Sequence, residues 1–132
     1  MRKVLLLAFL WALCGLAVSA AETTFPEIGH ADLKKVMEEK KAVLLDANGS
    51  KSYDKHHIPG ALDFAAIKDD LAKHLPADKD ALIVAYCGSE KCPAYKAAAE
   101  AAAALGYTNV KHYAPGIQGW LKSNEKVESV EK

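Results

Sequence analysis

The sequence predicts an α/β fold with a mostly parallel β-sheet. Two short apolar runs, 43–45 and 81–86, are suited to buried strands, and Asp46 and Cys87 follow them directly. Segments with the apolar spacing of amphipathic helices lie between the strands, which is the alternation that joins parallel strands. With 132 residues, 51% of them hydrophobic, the chain has the size and composition of one small globular domain.

The first half of this domain is predicted to contain three helices. An amphipathic helix from about 31 to 40 precedes the strand that ends at Asp46. Ser50 lies in the following turn and can cap a short helix. After a second tight turn and a brief strand, another amphipathic helix is predicted over 66–75, where Pro76 ends it.

The second half is predicted to hold the central strand, at 81–86. Pro93 is placed as the first residue of an alanine-rich helix over 93–105, which a glycine follows. A strand at 110–113 and a short helix that contains Trp120 come next. The last segment, 123–132, is a charged tail that we expect to fray.

The N-terminus has the pattern of a secretory signal peptide. Two basic residues precede an apolar run, 4–18, which is shorter than the roughly 18 residues that a spanning helix needs. We expect removal of residues 1–20 by cleavage after Ala20, with Ala21 as an alternative. An uncleaved anchor and a lipoprotein attached at Cys14 are the competing interpretations. The domain at 21–122 is thus expected to be periplasmic or secreted, with no stable membrane insertion after cleavage.

The charge of the chain excludes some functions. The chain has 17 Lys and Arg against 17 Asp and Glu, without the basic surplus that a nucleic-acid binder needs. Arg2 is the one arginine of the sequence, so the mature chain has no guanidinium group to bind a phosphate or sulfate through two hydrogen bonds. Because no glycine-rich phosphate motif is present, we expect no cofactor. A domain of this size can be a monomer.

Two cysteines, Cys87 and Cys92, are left in the mature chain. Ligands of open α/β sheets bind at the carboxyl ends of the strands, which is where the prediction places Cys87. Backbone N–H groups at the start of the following helix, with Lys91 nearby, are expected to lower the pKa of the Cys87 thiol. The alternative is a buried and inert cysteine. The pair itself could be a disulfide, a reactive thiol with a neighbouring cysteine or part of a metal site. Since no histidine has a suitable ligand spacing, we predict no metal.

Five short motifs appear in a fixed order. They are Asp46 at a strand end; Tyr53 with His57, Ile58, Pro59, Gly60 and Ala61; Tyr86 with Cys87; Leu105, Gly106, Tyr107, Asn109 and Val110; and Gly116, Ile117, Gly119 and Trp120. In this order and spacing the chain resembles a single-domain rhodanese, of the sulfurtransferase family, from Ala42 to Trp120. The resemblance implies a rhodanese-like fold, in which a central parallel sheet has helices on both faces and a cysteine heads a six-residue loop.

The resemblance also implies the chemistry. Cys87 would be the catalytic nucleophile, which takes a sulfane sulfur from thiosulfate, polysulfide or a persulfide and passes it to a thiophilic acceptor. The acceptor would be a nucleophile such as cyanide or another thiol. The expected partners are a small sulfur-containing substrate or a protein that carries a thiol or persulfide. The loop that would bind the persulfide and the substrate consists of Gly88, Ser89, Glu90, Lys91 and Cys92. Asp46 and His57 match positions that support the fold, and we expect their roles to be mainly structural.

The loop departs from the family pattern at two positions. Glu90 and Cys92 stand where the family commonly has glycine and arginine, which disfavours a dianionic donor such as thiosulfate. Cys92 could instead attack a persulfide on Cys87, release sulfide and leave a disulfide. Two alternatives to the enzyme are therefore kept, a non-catalytic rhodanese module for sulfur carriage or protein binding, and a Cys87/Cys92 dithiol redox protein. Phosphatase chemistry is poorly supported, because Pro93 occupies the place of the arginine it requires.

Overall fold

The structure is a computed structural model, and it describes residues 24–130. The predicted signal peptide, its cleavage site and Cys14 lie outside the described residues. The predicted α/β fold is confirmed, since four parallel strands form one sheet in the order β2-β1-β3-β4. The strands are β1 Ala42–Asp46, β2 Leu62–Asp63, β3 Leu82–Tyr86 and β4 Val110–His112.

The helices alternate with these strands along the chain. They are α1 His30–Glu38, α2 Ser50–Lys55, α3 Phe64–Ile67, a 3-10 helix at Lys68–Lys73, α4 Tyr95–Ala104 and α5 Gly116–Lys122. Within residues 24–130, none of the helices combines the length and the apolar character needed to cross a membrane.

Alternating side chains of the strands divide the core into two layers, one on each face of the sheet. Leu44, Val84 and Tyr86 pack with buried residues of α1 and α5 on one face. On the other face, Leu45, Ile83 and Ala85 pack with the 3-10 helix and α4. The side of α4 that meets the sheet consists of three fully buried alanines. Their small side chains allow the helix to lie close to the sheet.

The single helix predicted over 66–75 is wrong, because α3 is followed by a 3-10 helix with a break inside it. Asp70 has φ −132° and ψ 33°, which is not helical. Aspartate is a weak helix former, and here two of them, Asp69 and Asp70, are adjacent. The Asp70 carboxylate instead lies 3.4 Å from Nε2 of His74.

Two predicted helix starts also differ from the structure. Ser50 is the first residue of α2 and not its cap, because Gly49 caps the helix with φ +87° and Ser50 makes no side-chain capping bond. α4 starts at Tyr95, two residues after Pro93. The chain at Pro93 forms a tighter turn first, in which the Lys96 N–H donates to the Pro93 carbonyl at 3.1 Å.

The expectation that the C-terminal tail frays is wrong for its described part. His57 and Glu128 exchange two backbone hydrogen bonds of 2.9 and 3.0 Å, and the Val130 N–H donates to the Asp54 carbonyl at 2.9 Å. The indole N–H of Trp120 donates to the Lys126 carbonyl at 2.7 Å. These bonds join the tail to the core, and they could not be predicted from the high charge content of the tail.

Candidate active site

The candidate site lies at the carboxyl edge of the sheet, where Cys87 directly follows β3. β3 lies between β1 and β4, so Cys87 is central in the sheet. Its side chain is buried, with 1% exposure. The register places Asp46 at the end of β1 beside Tyr86, and His112 at the end of β4 beside Ala85. The position predicted for Cys87 is thus the position that the fold gives it.

The loop from Cys87 to Cys92 brings its two thiols together. Both cysteines are free, and the Cys87 thiol donates to the Cys92 carbonyl with an S···O distance of 3.1 Å. The N–H groups of Gly88 and Tyr95 hydrogen-bond the Cys87 sulfur, and those of Gly88 and Ala94 hydrogen-bond the Cys92 sulfur. The sequence predicted N–H donors from residues 88–92. Of these, Gly88 is confirmed as a donor to the sulfurs, whereas Ala94 and Tyr95 lie outside the predicted range.

Within the loop, the N–H of Cys92 has a different partner, because it donates to the Ser89 carbonyl at 3.1 Å. Tyr95 supplies a donor from the first residue of α4 instead. No pattern in the sequence pointed to Tyr95 as a donor. The ring of Tyr95 stacks on the buried ring of His112, with centroids 3.3 Å apart and planes 5° apart, which fixes the start of α4 against the end of β4.

The prediction that the site lowers the pKa of Cys87 is wrong for this dithiol form. Burial raises the pKa of Cys87 to about 11, and the neighbouring Cys92 side chain adds to the rise, while the N–H groups of Tyr95 and Gly88 oppose it. For Cys92, partial burial acts to raise the pKa, but its hydrogen bonds with Cys87, Gly88 and Ala94 outweigh burial and lower it. Cys92 is thus the more acidic thiol of the pair.

The start of α5 holds the loop in place through backbone hydrogen bonds. The N–H groups of Ile117 and Gln118 donate to the carbonyls of Cys87 and Gly88 at 2.9 and 3.0 Å. These N–H groups are free to do so because the first turn of a helix has no partners for them within the helix. Gly116 makes the contact possible, since it has φ +62° and a Cβ atom there would lie 2.3 Å from the Cys87 carbonyl oxygen.

Asp46 connects three segments behind the loop. Its buried carboxylate accepts the Tyr86 hydroxyl at 2.7 Å and the Asn48 N–H at 2.8 Å. The Tyr86 hydroxyl in turn accepts the N–H of Ile58 at 3.1 Å. Burial raises the pKa of Asp46, and the hydrogen bonds from Asn48 and Tyr86 oppose that rise. The carboxylate thereby ties the ends of β1 and β3 to the turn that contains Ile58.

His57 makes contacts with the framework of the domain. Its Nδ1 lies 2.8 Å from the Tyr53 carbonyl, which makes Nδ1 the donor, and its ring stacks on the Tyr53 ring with centroids 3.7 Å apart. Its Nε2 lies 3.5 Å from a carboxylate oxygen of Glu128. Neither His57 nor Asp46 has a hydrogen bond to Cys87 within residues 24–130, and a structural role for both stays our interpretation.

An open cleft of about 520 Å³ lies beside the loop. Its lining residues come from the loop and from the region of α5, and they are Ser89, Glu90, Lys91, Pro115, Gln118, Gly119 and Lys122. As for metals, no group of three or more His, Cys, Asp or Glu side chains in the described range is arranged to hold an ion.

The parallel sheet, with a cysteine loop after its central strand and helices on both faces, defines an α/β domain of the rhodanese type. The Rhodanese-like domain family matches residues 30–123, and the chain belongs to this family. No curated protein matched the chain. Gly116 is one of the family-motif residues, but its contact with the loop was missed because it depends on where α5 lies in space.

Solved structures share the fold. The BH2092 protein of Bacillus halodurans is 26% identical, with a TM-score of 0.63 over 80% of this chain and 78% of that one. A thiosulfate sulfurtransferase of Pseudomonas aeruginosa is 20% identical, with a TM-score of 0.63 over 82% of this chain and 21% of that one. A 3-mercaptopyruvate sulfotransferase of Escherichia coli is 18% identical, with a TM-score of 0.65 over 80% of this chain and 52% of that one.

Proposed function

We propose that the chain is an exported sulfurtransferase that carries sulfane sulfur as a persulfide on Cys87. The observation that carries the proposal is the place of Cys87, at the carboxyl end of the central strand with the N–H groups of Gly88 and Tyr95 directed at its sulfur. Such donors stabilise an anionic sulfur. Membership of the rhodanese-like family and the structural likeness to two sulfur-transferring enzymes support the same assignment.

In the loading step, the Cys87 sulfur attacks the outer sulfur of the donor. The bond between the two donor sulfurs breaks, and its electron pair leaves with the inner part of the donor. Cys87 must lose its proton first. Because burial raises the pKa of Cys87 to about 11, the thiol is mostly protonated at pH 7, so we expect the loading rate to rise with pH.

We propose a polysulfide or a persulfide as the donor, ahead of thiosulfate. Glu90 places a carboxylate on the loop, and the mature chain offers no guanidinium against a dianion. Lys91 and Lys122 line the adjoining cleft, but an ammonium group does not provide the paired donors that a guanidinium does.

A second candidate function is favoured by the contact between the two cysteines. The more acidic sulfur, that of Cys92, can attack the Cys87 sulfur of the persulfide. A Cys87–Cys92 disulfide forms while the outer sulfur leaves as hydrosulfide, so two thiols are oxidised and one sulfane sulfur is reduced. An external thiol then has to reduce the disulfide. In this case the chain is a dithiol redox protein that releases sulfide.

The test is thiocyanate formation from cyanide with thiosulfate or polysulfide as donor. The mature protein is assayed with and without prior reduction, beside Cys87→Ser and Cys92→Ser. Turnover that requires Cys87 and persists in Cys92→Ser supports the sulfurtransferase. Release of sulfide that Cys92→Ser abolishes supports the dithiol protein. If neither donor gives turnover after reduction, the proposal that the chain is a sulfurtransferase is refuted. A non-catalytic module for sulfur carriage or protein binding then becomes the leading hypothesis.

Export rests on the sequence of residues 1–20 and is tested separately. Mass spectrometry of the protein recovered from the expressing cells should give a mature chain that begins at Ala21 or Glu22. A chain that begins at Met1 in the cytoplasm would refute export without bearing on the chemistry. Light scattering of the mature chain checks the expected monomer.

A further inference from the structure

The start of α4 supplies an N–H donor to the Cys87 sulfur, and this end of the helix has no side-chain cap. Pro93 and Ala94, which precede Tyr95, are both exposed. The first fully buried side chain of the helix is that of Ala98, nearly one turn further on. The position of the Tyr95 N–H therefore depends on what the half-buried side chain of Tyr95 contacts.

The ring of Tyr95 stacks on the ring of His112, at the end of β4, with centroids 3.3 Å apart and planes 5° apart. The backbone of His112 is bonded on both sides. On one side its N–H donates to the Pro26 carbonyl at 2.8 Å, and its carbonyl accepts the Ile28 N–H at 2.9 Å. On the other side β4 pairs with β3. His112 thus offers the Tyr95 ring a surface that is fixed to the sheet.

The nitrogen atom Nε2 of His112 is buried and has no hydrogen-bond partner in the described part of the chain. A buried polar atom without a partner costs free energy, so the presence of an imidazole here needs an explanation. Burial lowers the pKa of His112, and the charge of Glu27 opposes that shift. The ring is therefore neutral at pH 7, and the part of it that contacts the Tyr95 ring is its face.

We propose that His112 is a positioning residue for Cys87, and that it acts through Tyr95. The stack fixes the first turn of α4 and thereby directs the Tyr95 N–H at the Cys87 sulfur. This N–H stabilises the Cys87 thiolate, which is the form that attacks the sulfur donor. The inference deepens the proposed function and rests on it for its role in catalysis, whereas the reactivity of Cys87 can be measured without any sulfur transfer.

The test measures the rate at which iodoacetamide alkylates Cys87 at pH 8. The reference is a mature chain with Cys92→Ser, in which Cys87 is the single cysteine. Because burial keeps the thiol mostly protonated, the rate follows the thiolate fraction. His112→Leu removes the stacked face, and Tyr95→Leu removes the other ring but keeps the N–H. Each should lower the rate about tenfold, as expected at the weak end of the range for hydrogen bonds to charged groups.

Three features of the result distinguish this role from damage to the fold. A loosened loop would expose the buried Cys87 thiol and make alkylation faster, which is the opposite sign. His112→Phe keeps an aromatic face without the nitrogen atoms, so its rate should stay within about twofold of the reference. The double variant His112→Leu/Tyr95→Leu should be no slower than either single variant, because both substitutions break the same contact.

Tyr53→Leu is the matched control. It breaks a second tyrosine–histidine stack, in which the rings of Tyr53 and His57 have centroids 3.7 Å apart and planes 5° apart. Since Tyr53 supplies no N–H donor to Cys87, this variant should lose stability in urea without a slower alkylation. The urea transitions also show which variants are folded. If His112→Leu does not fold, Tyr95→Leu and His112→Phe decide the question.

Three results would overturn the inference. They are leucine variants that react as fast as the reference or faster, a His112→Phe variant as slow as His112→Leu, and effects of the single variants that multiply in the double variant. Loading of Cys87 by polysulfide is measured in the same variants and should fall in parallel with alkylation. If the reference chain does not load, the proposed function has failed, while the alkylation rates still decide the role of His112.

Discussion

Replacing Gly116 by alanine tests how the active loop is held. The added Cβ would lie 2.3 Å from the Cys87 carbonyl oxygen and 2.7 and 2.8 Å from the carbonyl carbon and oxygen of Gly88. All three neighbours are backbone atoms, which cannot move away as the end of a flexible side chain can. The variant must therefore displace either the loop or the start of α5.

Two costs add up in this variant. A non-glycine residue in the left-handed region, where Gly116 has φ +62°, costs roughly 1–2 kcal/mol. Forcing an extra carbon into a packed site typically costs about 1–3 kcal/mol. We expect the free energy of unfolding to fall by about 2–5 kcal/mol, a large part of the roughly 5–15 kcal/mol that a domain of this size has.

Urea unfolding followed by Trp fluorescence measures this loss, and Gly60→Ala is its control. Gly60 also has a positive φ, of +80°, but nothing lies within 4 Å of its added Cβ, so this variant pays for strain alone. If the urea dependence is about 1.5 kcal/mol per molar, the packing cost of about 1–3 kcal/mol that separates the two variants shifts the midpoint by about 0.7–2 M. Midpoints for Gly116→Ala and Gly60→Ala within about 0.3 M of each other would refute the close contact, and with it the support of the loop by α5.

Three other perturbations follow from the same contacts. Tyr86→Phe should lower the free energy of unfolding in urea by roughly 2–4 kcal/mol, because the Asp46 carboxylate loses a donor and a buried N–H loses its acceptor; a loss under 0.5 kcal/mol would contradict the network. Alkylation followed by peptide mass mapping should modify Cys92 first at pH 7, and modification of Cys87 should rise with pH toward about 11, since its raised pKa keeps it protonated below that pH; fast labelling of Cys87 at pH 7 would contradict this order. Trp120→Phe keeps a ring in the core but removes the indole donor, so hydrogen–deuterium exchange should become faster in the C-terminal segment, and unchanged exchange there would show that the indole bond does not hold it.

The alternation of strands and helices along the chain could be predicted because it depends on local patterns. The apolar run before Asp46 and the one before Cys87 have the composition of strands buried on both faces, and both are parallel neighbours in the sheet. The break at Asp70 and the docking of Glu128 on His57 could not be predicted in the same way. Each depends on contacts between segments that are distant in the chain or on the exact path of a connection.

For the site, the position of Cys87 at the end of a strand could be predicted from the sequence, but the pKa of its thiol could not. The place of Cys87 follows from the end of a strand, whereas its pKa depends on burial and on how far Cys92 turns toward it. The hydrogen bond from the Tyr95 N–H to Cys87 depends on how α4 packs against the loop, and the close contact of Gly116 with the loop depends on how α5 does. The way in which a helix packs against a loop leaves no periodic pattern in the sequence, so these contacts cannot be predicted from the sequence alone.

Arg2 is the single arginine of the sequence, and the absence of an arginine from the active loop is connected with the acidity of Cys92. In this loop no guanidinium organises the backbone carbonyls or the substrate, and the N–H groups of α5 hold the carbonyls of Cys87 and Gly88 instead. The hydrogen bond with the Cys87 side chain, and then those with the N–H groups of Gly88 and Ala94, lower the pKa of Cys92, which occupies the sixth position of the loop. Negative charge therefore gathers first on Cys92 and raises the cost of a second negative charge on Cys87. The sixth position of the loop thus holds the more acidic thiol next to Cys87, which is the arrangement that the proposed reduction of a Cys87 persulfide by Cys92 needs.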